Sequence, residues 1–384
     1  MKPSITKAIR TFHVWAGLTL GTLFCLMSLT GSLLVFRPAI EDLLRPAGKV
    51  KSAARPAAPL TEATRNIATR WPDSRVSSVT LPSRTDAPVE FGVRTSDDED
   101  LRVFADARSG EVLGTFSLPW LVWLTDLHHH VQLQSLGGVR GAGKRIVGLI
   151  GICLLLSSLT GLFVWAPRPA RWLRLFGKHR PAGWQFNRFD VHRSVGVIGS
   201  VALLFISATG ITIAFPQTLA AMLGGPSETS RQRAPRAARA DENVGALPNI
   251  EQYLAAATNA VPGAVITQVR LSPAAGRSVT ARLRQPGDIR QEGSTRVSLD
   301  PATASVVSID QPSDWPMYKK IVQAATPLHY AEWGGMPVRV LWSFIGLMPP
   351  ALFVSGILLW WTPFRAKRRA ARMRELAREE AIAA

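Results

Sequence analysis

The stretch that decides the fold is residues 11–36, TFHVWAGLTLGTLFCLMSLTGSLLVF, which lies between Arg10 and Arg37 and contains no Asp, Glu, Lys or Arg. As an α-helix it is about 39 Å long, enough to cross a hydrocarbon core of about 30 Å. His13 lies near its start and a hydroxyl-glycine pair, Thr30-Gly31, near its end. The stretch predicts a membrane-spanning helix with a polar feature near each end.

Three later runs repeat this plan. The chain of 384 residues is 47% hydrophobic, and the apolar residues concentrate in four runs, which indicates a membrane protein with soluble inserts. We predict a membrane α-helical fold, a bundle of four transmembrane helices with two small α+β modules. The later runs are residues 145–165, 195–215 and 338–361, with the pairs Thr160-Gly161, Thr209-Gly210 and Ser355-Gly356.

The formal charge of +18 suggests nucleic acid, but its distribution argues against that partner. Basic residues cluster beside the apolar runs, on one side of the membrane if the helices alternate. The positive-inside rule then places both termini and residues 167–190 in the cytoplasm, with residues 38–144 and 216–337 outside. The clusters are Lys2, Lys7 and Arg10; Arg168, Arg171, Arg174, Lys178, Arg180 and Arg188; and Arg365, Lys367, Arg368, Arg369, Arg372 and Arg374.

The N terminus resembles a signal peptide, but its apolar run is too long and lacks an A-x-A cleavage site, which favours a retained anchor. Cys25 and Cys153 both lie inside apolar runs. Two cysteines in such places resemble neither a disulfide framework nor a metal motif. We interpret them as small core residues.

Each outer segment has the pattern of a helix followed by strands, after a linker rich in small and basic residues at 44–59 and 218–247. The first module has a predicted helix at 60–69 and strands at 76–81, 89–94, 101–104 and 111–113. The second has a predicted helix at 250–260 and strands at 264–271, 277–284, 295–299 and 305–307.

The chain contains two copies of the same order of motifs. His13 and His192 are 179 positions apart, and so are Gly31 and Gly210. Residues 103–113 also align without a gap on residues 297–307. We therefore predict an internal duplication with a two-fold axis along the membrane normal.

The predicted organisation follows from these boundaries. It comprises a cytoplasmic flank and first helix (1–37), a first module (38–126), an outer histidine segment and second helix (127–166), a basic cytoplasmic loop (167–191), a third helix (192–216), a linker and second module (217–326), an outer histidine segment and fourth helix (327–362), and a basic cytoplasmic tail (363–384).

Four histidines at duplicated positions are candidate metal ligands. His13 and His192 belong to the inner helix ends, and His128 and His329 to the outer ends. One imidazole from each of two helices suits bis-axial haem iron, whereas zinc prefers three or four protein ligands. The alternative is that they are interfacial anchors or hydrogen-bonded helix ends.

His128 is preferred over its neighbours because it shares a Leu-His context with His329, and His129 and His130 remain close rivals. His179, which has no counterpart, is interpreted as solvated. The hydroxyl-glycine pairs either allow close helix packing, which we favour, or let a flat macrocycle lie against the backbone. Five cations either neutralise haem propionates or extend to the membrane interface. They are Arg10, Arg193, Lys144, Arg145 and Arg339.

These motifs resemble the PepSY-associated transmembrane family. The resemblance covers nearly the whole chain, including the hydroxyl-glycine helix ends and the aspartate turns of the two outer modules. The four-helix, two-module plan is most like the ferric-siderophore reductase (FoxB-like) branch. The matching motifs are His13-x-Trp15-x-Gly17-Leu18, Leu127-His128-His129, Val191-His192-Arg193 and Pro327-Leu328-His329.

The resemblance implies PepSY-like periplasmic modules on a dihaem b-type cytochrome of the bacterial inner membrane. Such a protein would take electrons from a cytoplasmic or membrane donor and reduce ferric siderophore in the periplasm, releasing iron. The implied cofactors are two haem b groups. Their axial ligands would be His13, His192, His128 and His329.

Two other classes stay open: a permease-like component of siderophore or iron uptake, and a PepSY sensor or protease-regulating membrane protein without redox activity. The sequence has no nucleotide or flavin motif, which argues against direct use of NAD(P)H. Outer aromatic residues either line a docking surface or form an interfacial belt. They are Trp120, Trp123, Trp315, Tyr318 and Trp333.

Overall fold

The computed structural model describes residues 3–45, 60–82, 87–97, 99–133, 137, 139, 141–165, 188–226, 250–271, 279–362 and 372. The chain divides into a helical unit, Met1–Arg37, Leu121–Pro216 and His329–Ala384, and a sheet unit, Pro38–Trp120 and Gln217–Leu328. Residues 46–59 and 227–247 of the predicted linkers, His179 and nearly all of the basic loop and tail lie outside the described residues.

Among the described residues, the helical unit contains four helices that are long and apolar enough to cross a membrane, as the sequence predicts. Span one ends just before Arg37-Pro38, where proline removes a backbone donor. In span four, Leu347 N–H donates to the carbonyl of Phe344 instead of continuing the regular ladder, two residues before Pro349-Pro350. The spans are Ile5–Leu34, Ala142–Trp165, Val191–Ala214 and Gly335–Thr362, within helices Pro3–Leu34, Ala142–Trp165, Arg188–Ala214, Gly335–Gly346 and 348–362.

The spans contact one another through small residues. Span two packs against spans one and three, and span one also packs against span four. Ser32 and Ser343 exchange hydrogen bonds between each hydroxyl and the other residue's carbonyl, both at 3.2 Å. Gly346, one turn beyond Ser343, lies against Ser32. Such positions let helix backbones approach closely in a membrane.

The sheet unit has one antiparallel sheet of eight strands in the order β4-β3-β2-β1-β5-β6-β7-β8. The sequence predicts two separate modules, and the structure joins their strands edge to edge where β1 pairs with β5. An unpaired edge strand exposes a row of backbone donors and acceptors, and this pairing satisfies one edge of each half. The strands are β1 Arg75–Thr80, β2 Val89–Arg94, β3 Asp100–Ala105, β4 Val112–Thr115, β5 Val265–Arg270, β6 Val279–Arg284, β7 Thr295–Leu299 and β8 Val306–Asp310.

Both halves of the sheet bury alternate strand residues, as half-buried strands do. Val89, Phe91 and Val93 of β2 are buried, and so are their counterparts on β6. Asp106 and Asp300 close equivalent turns by accepting hydrogen bonds from backbone amides two and three residues later. The predicted strand and turn patterns are therefore present in each half.

Several short helices accompany the spans and strands. The helices α1, Arg37–Leu44, and α4, Pro216–Met222, follow spans one and three directly. Most of α4 occupies residues that the sequence assigned to a linker. Its regular hydrogen bonding begins after Pro216, where a proline suits the first turn. The helices α2 and α5 precede the strands of each half, as predicted. The bounds are α1 Arg37–Leu44, α2 Leu60–Arg70, α3 Pro119–His130, α4 Pro216–Met222, α5 Ile250–Ala260 and α6 Met317–His329, with a 3-10 turn at Pro312–Asp314.

Candidate metal centres

The structure brings the four candidate histidines together as two pairs within the helical unit. The ring centroids of His13 and His192 are 6.4 Å apart, with an interplanar angle of 79°. Those of His128 and His329 are 6.5 Å apart, with an angle of 38°. Each pair takes one imidazole from each half of the chain.

Each imidazole lies against the hydroxyl-glycine pair of a neighbouring span. His128 Nδ1 is 2.9 Å from the hydroxyl oxygen of Thr30 in span one. His13 Nδ1 is 3.0 Å from the carbonyl oxygen of Ser157 and 3.3 Å from the hydroxyl of Thr160. The two remaining Nδ1–hydroxyl distances are 3.0 Å for His192 with Ser355 and 3.0 Å for His329 with Thr209.

These hydrogen bonds determine which ring nitrogen carries the proton. The Thr30 hydroxyl donates to the carbonyl of Leu26 at 2.7 Å, so its oxygen is left to accept from His128 Nδ1–H. Because a neutral imidazole has one N–H, the lone pair is then on Nε2. The hydroxyls of Thr160, Thr209 and Ser355 likewise donate to carbonyls of their own helices.

Gly31, Gly161 and Gly210 leave space for these rings, and Gly356 lies at an ordinary contact distance from the fourth. A Cβ atom at Gly31 would lie 2.9 Å from His128 Cε1, and one at Gly161 would lie 3.0 Å from His13 Cε1. The values are 3.1 Å at Gly210 with His329 and 3.4 Å at Gly356 with His192. Each of these glycines faces a histidine ring of another segment, and the favoured interpretation of the pairs as helix packing stays a prediction.

The ring centroids of each pair are farther apart than those of two directly hydrogen-bonded imidazoles. An N–H···N bond of about 2.9 Å, plus about 1.1 Å from each nitrogen to its ring centroid, gives about 5.1 Å. Two metal–nitrogen bonds of about 2.0 Å in line give about 6.2 Å between centroids. The observed 6.4 and 6.5 Å match the second arrangement. Within the described residues, no hydrogen bond uses the four Nε2 atoms.

The donor set suits iron porphyrin better than a metal held by protein alone. Within the part of the chain that the structure describes, no three His, Cys, Asp or Glu side chains cluster as a metal site. A porphyrin supplies four nitrogens and needs only two axial ligands, which bundle proteins provide from facing helices. The residues present therefore fit haem.

His129 and His130 are turned to other partners. His129 stacks on Tyr330, with centroids 6.2 Å apart and planes 9° apart, and its Nε2 is 3.4 Å from the phenol oxygen. His130 Nδ1 is 2.9 Å from a carboxylate oxygen of Asp126. Of the three neighbouring histidines, only His128 faces His329.

Burial favours the neutral form of the imidazoles of His128 and His329. Burial, with smaller contributions from His129 and His329, lowers the pKa of His128 to about 3. Burial, followed by His129, lowers the pKa of His329 to about 4. Both residues lie outside the four span ranges. A neutral imidazole is the form that binds a metal.

The five candidate cations differ in burial. Arg10 and Arg145 are exposed, and Arg193 and Lys144 are half-buried. Arg339 is 8% exposed, and its Nε has no hydrogen-bond partner among the described residues. It lies one turn before Ser343, which contacts Ser32, the residue after Gly31. Arg339 therefore occupies the end of the bundle that holds His128.

Sequence reasoning missed two further contacts at the outer pair. Tyr330 lies beside both His129 and His329, at centroid distances of 6.2 and 6.1 Å. Gly143, at the start of span two, lies against the backbone of His130. The tyrosine that directly follows Leu328-His329 could have indicated the first contact. For the second contact, the only signal in the sequence was Gly143 itself.

The PepSY-associated TM region family matches residues 10–362, and the chain belongs to this family. Over 263 residues the chain is 28% identical to the Uncharacterized protein PA4219 of Pseudomonas aeruginosa. The aligned region covers 62% of this chain and 63% of that relative. The chain thus spans less than two thirds of the relative's length. With four candidate spans, it is a multi-pass membrane protein of this family.

Proposed function

We propose that the protein is a dihaem b-type cytochrome of the bacterial inner membrane, of the ferric-siderophore reductase branch of its family. It takes electrons from a cytoplasmic or membrane donor and reduces ferric siderophore in the periplasm. The observation that carries this proposal is the presence of two histidine pairs, each spaced for one shared iron and each with Nδ1 already bonded.

The topology supports electron transfer across the membrane. His13 and His192 lie near the starts of spans one and three, whereas His128 and His329 contact the ends of the same two spans. His13 and Gly31, which contacts His128, are 18 residues apart in one helix, about 27 Å along its axis. The two pairs therefore belong to opposite leaflets.

Basic residues support the orientation. Lys7 and Arg10 precede the first apolar run, and the other two basic clusters lie outside the described residues except for Arg188 and Arg372. The positive-inside rule puts both termini in the cytoplasm and the sheet unit in the periplasm. The repeated helix-and-strand order of the two halves supports an internal duplication into two PepSY-like modules.

The residues of this chain have separate roles in the mechanism. The imidazoles would hold haem iron through Nε2, while the hydroxyls of Thr30, Thr160, Thr209 and Ser355 fix each ring's orientation and keep its proton on Nδ1. Haem, when bound, supplies reversible one-electron transfer. Arg339 offers a buried positive charge for a propionate at the outer site.

Reduction itself releases the iron from its carrier. One electron converts the ferric chelate to a ferrous chelate, and no bond to the protein needs to form. Hard oxygen ligands bind ferrous iron more weakly than ferric iron, because the lower charge weakens the attraction. The siderophore then dissociates from the ferrous iron more readily.

The test is the haem-to-protein ratio of protein purified from haem-replete cells. We expect two haems per chain, one after His13→Ala or His329→Ala, and still one after His13→Ala with His192→Ala. Combining His13→Ala with His329→Ala should leave none. His129→Ala and His130→Ala are matched controls that should keep two. A colourless wild-type protein contradicts the proposal, as does a loss pattern that ignores the pairing.

A further inference from the structure

One face of the sheet is strongly basic in its second half. Along β6, Val279, Ala281 and Leu283 are buried against α5, so Arg282 and Arg284 occupy the opposite face. Arg296 of β7 lies directly opposite Arg282. Like charges at opposite positions of an antiparallel pair repel each other. Such an arrangement suggests a surface kept for an anionic ligand.

The first half of the sheet carries the same scaffold with its charges paired. The registers Gly92↔Arg102 and Arg282↔Arg296 make Arg102 and Arg296 equivalent. Arg102 donates to Glu90 at 2.7 Å and to Glu41 of α1 at 3.0 Å. The position equivalent to Glu90 is Thr280. The side chain of Arg296 has no ion pair within the described residues.

The two halves differ in the same way at a second pair of positions on this face, two residues farther along the strands. Arg94 pairs with Asp100 across β2 and β3 at 3.2 Å. The equivalent residues in the second half are Arg284 and Ser294, so the arginine is kept and the acid is replaced. Where Arg282 adds a positive charge, the first half has Gly92.

The acids near this face are already engaged. Glu292 pairs with Arg282. Asp310, opposite Arg296 on β8, accepts hydrogen bonds from Lys319 Nζ at 2.5 Å and Trp315 Nε1 at 2.6 Å. Asp288 accepts from the backbone amides of Gln285 and Ser294 in the hairpin loop. The face keeps an excess of positive charge, from Arg270, Arg282, Arg284, Arg290 and Arg296.

Proton affinities reflect the contrast between the halves. Hydrogen bonds and charge from Glu90 and Glu41 raise the pKa of Arg102 above its ordinary value despite partial burial. Burial is the largest cause that lowers the pKa of Arg282; Glu292 opposes this shift, and Arg296, Arg290 and Arg270 add to it. The second face is thus short of negative charge, which a bound anion would supply.

We propose that this arginine face binds a polyanionic ferric chelate, in which the iron is held by catecholate oxygens. This inference rests on the proposed function and narrows its substrate class. Guanidinium groups donate pairs of hydrogen bonds to oxyanions, and several together complement a compact trianion. A neutral hydroxamate chelate offers the same size without the charge and binds this face weakly.

The test uses gallium(III) chelates, which have the charge and shape of ferric ones but cannot be reduced by haem. The full-length protein in detergent is titrated with a hexadentate tris-catecholate gallium complex and with a neutral tris-hydroxamate complex, followed by calorimetry. Arg282→Gln with Arg296→Gln should weaken binding of the trianion by about 100-fold, since losing the charged hydrogen bonds of each arginine costs about tenfold. Arg282→Lys with Arg296→Lys should restore most of the affinity.

Arg94→Gln, on the same face of the first half, is the matched control and should leave binding unchanged. Higher salt should weaken the trianion and not the neutral complex. Equal binding of both complexes, no effect of the double substitution, or preference for anionic lipid vesicles over the chelate would overturn the assignment. Haem content, measured on the same samples, reports on the proposed function separately.

Discussion

Thr30 of span one accepts a hydrogen bond of 2.9 Å from Nδ1 of His128, a residue 98 positions later in the chain. The hydroxyl proton of Thr30 is already donated to its own helix. The bond therefore fixes both the tautomer and the angle of an imidazole that belongs to another segment. Equivalent bonds occur at the other three histidines.

Replacing Thr30 by valine keeps the side-chain shape and removes the acceptor. We expect haem affinity at the outer site to fall about 10- to 100-fold, the usual effect of losing a partner of a metal-bound histidine. Haem transfer to apo-myoglobin measures the loss. Thr19→Val, which removes a hydroxyl bonded only to its own helix, is the control. Equal haem loss in both variants would show that the Thr30 bond has no special role.

The glycines make a second prediction. Gly31→Ala places a methyl group 2.9 Å from His128 Cε1, closer than carbon atoms normally approach, so the ring must move. Gly31→Ala should lose the outer haem alone, and Gly161→Ala the inner haem alone. Gly17→Ala has nothing within 4 Å of the new atom and should keep both. Optical spectra with haem quantification separate these outcomes.

Much of the fold follows from the sequence because its signals are local. Apolar length determined the four spans, and alternation determined strands such as Val89–Arg94 and Thr295–Leu299. The pairing of β1 with β5 was not predictable in this way, since Val79 and Val269 meet across 190 positions with no turn between them. The joined sheet is a consequence of edge pairing.

The candidate site shows the same division. The repeat in the sequence singled out His13, His128, His192 and His329, and the structure places them in two pairs. What the sequence did not show is that each hydroxyl-glycine pair holds an imidazole of another segment. Regular helix periodicity says which residues share a face, and it does not say which side chain fills the space beside a glycine.

The third prediction concerns Arg339, whose replacement should act differently in the haem-free and the haem-bound protein. A buried guanidinium whose Nε lacks a hydrogen-bond partner destabilises a fold, so Arg339→Gln should raise the stability of haem-free protein. In the loaded protein the same change removes a positive charge beside the outer site and should lower that haem's midpoint potential. Redox titration with thermal unfolding tests both signs, and Arg145→Gln, an exposed cation, is the control. A potential that rises, or does not move, excludes the assigned role.

The link between α2 and α5 gives a fourth prediction, in the sheet unit. Glu251 accepts hydrogen bonds from the amide and hydroxyl of Thr61, at 2.9 and 2.5 Å. Burial opposes ionisation, but these bonds outweigh it and lower the pKa of Glu251 below 4.5. A carboxylate with a lowered folded pKa stabilises the fold above its unfolded value and loses that contribution as pH falls through the folded one.

Thr61→Val should therefore destabilise the protein at pH 7 and much less at pH 3. Hydrogen exchange of the α2 and α5 amides, followed by mass spectrometry at both pH values, measures the difference locally. Thr64→Val removes a hydroxyl that bonds only to Leu60 of the same helix, and its effect should not depend on pH. An equal effect of Thr61→Val at both pH values would exclude an ionised Glu251 as the partner.

The cross-pairing of the histidines has a consequence for a severed polypeptide. A cut at residues 167–187 gives one fragment with His13 and His128 and another with His192 and His329. Each fragment carries two of the four candidate ligands, yet the two ligands in one fragment belong to different pairs. Haem absorption would return only when the two fragments are mixed. Its intensity would therefore measure how much of the protein has reassembled.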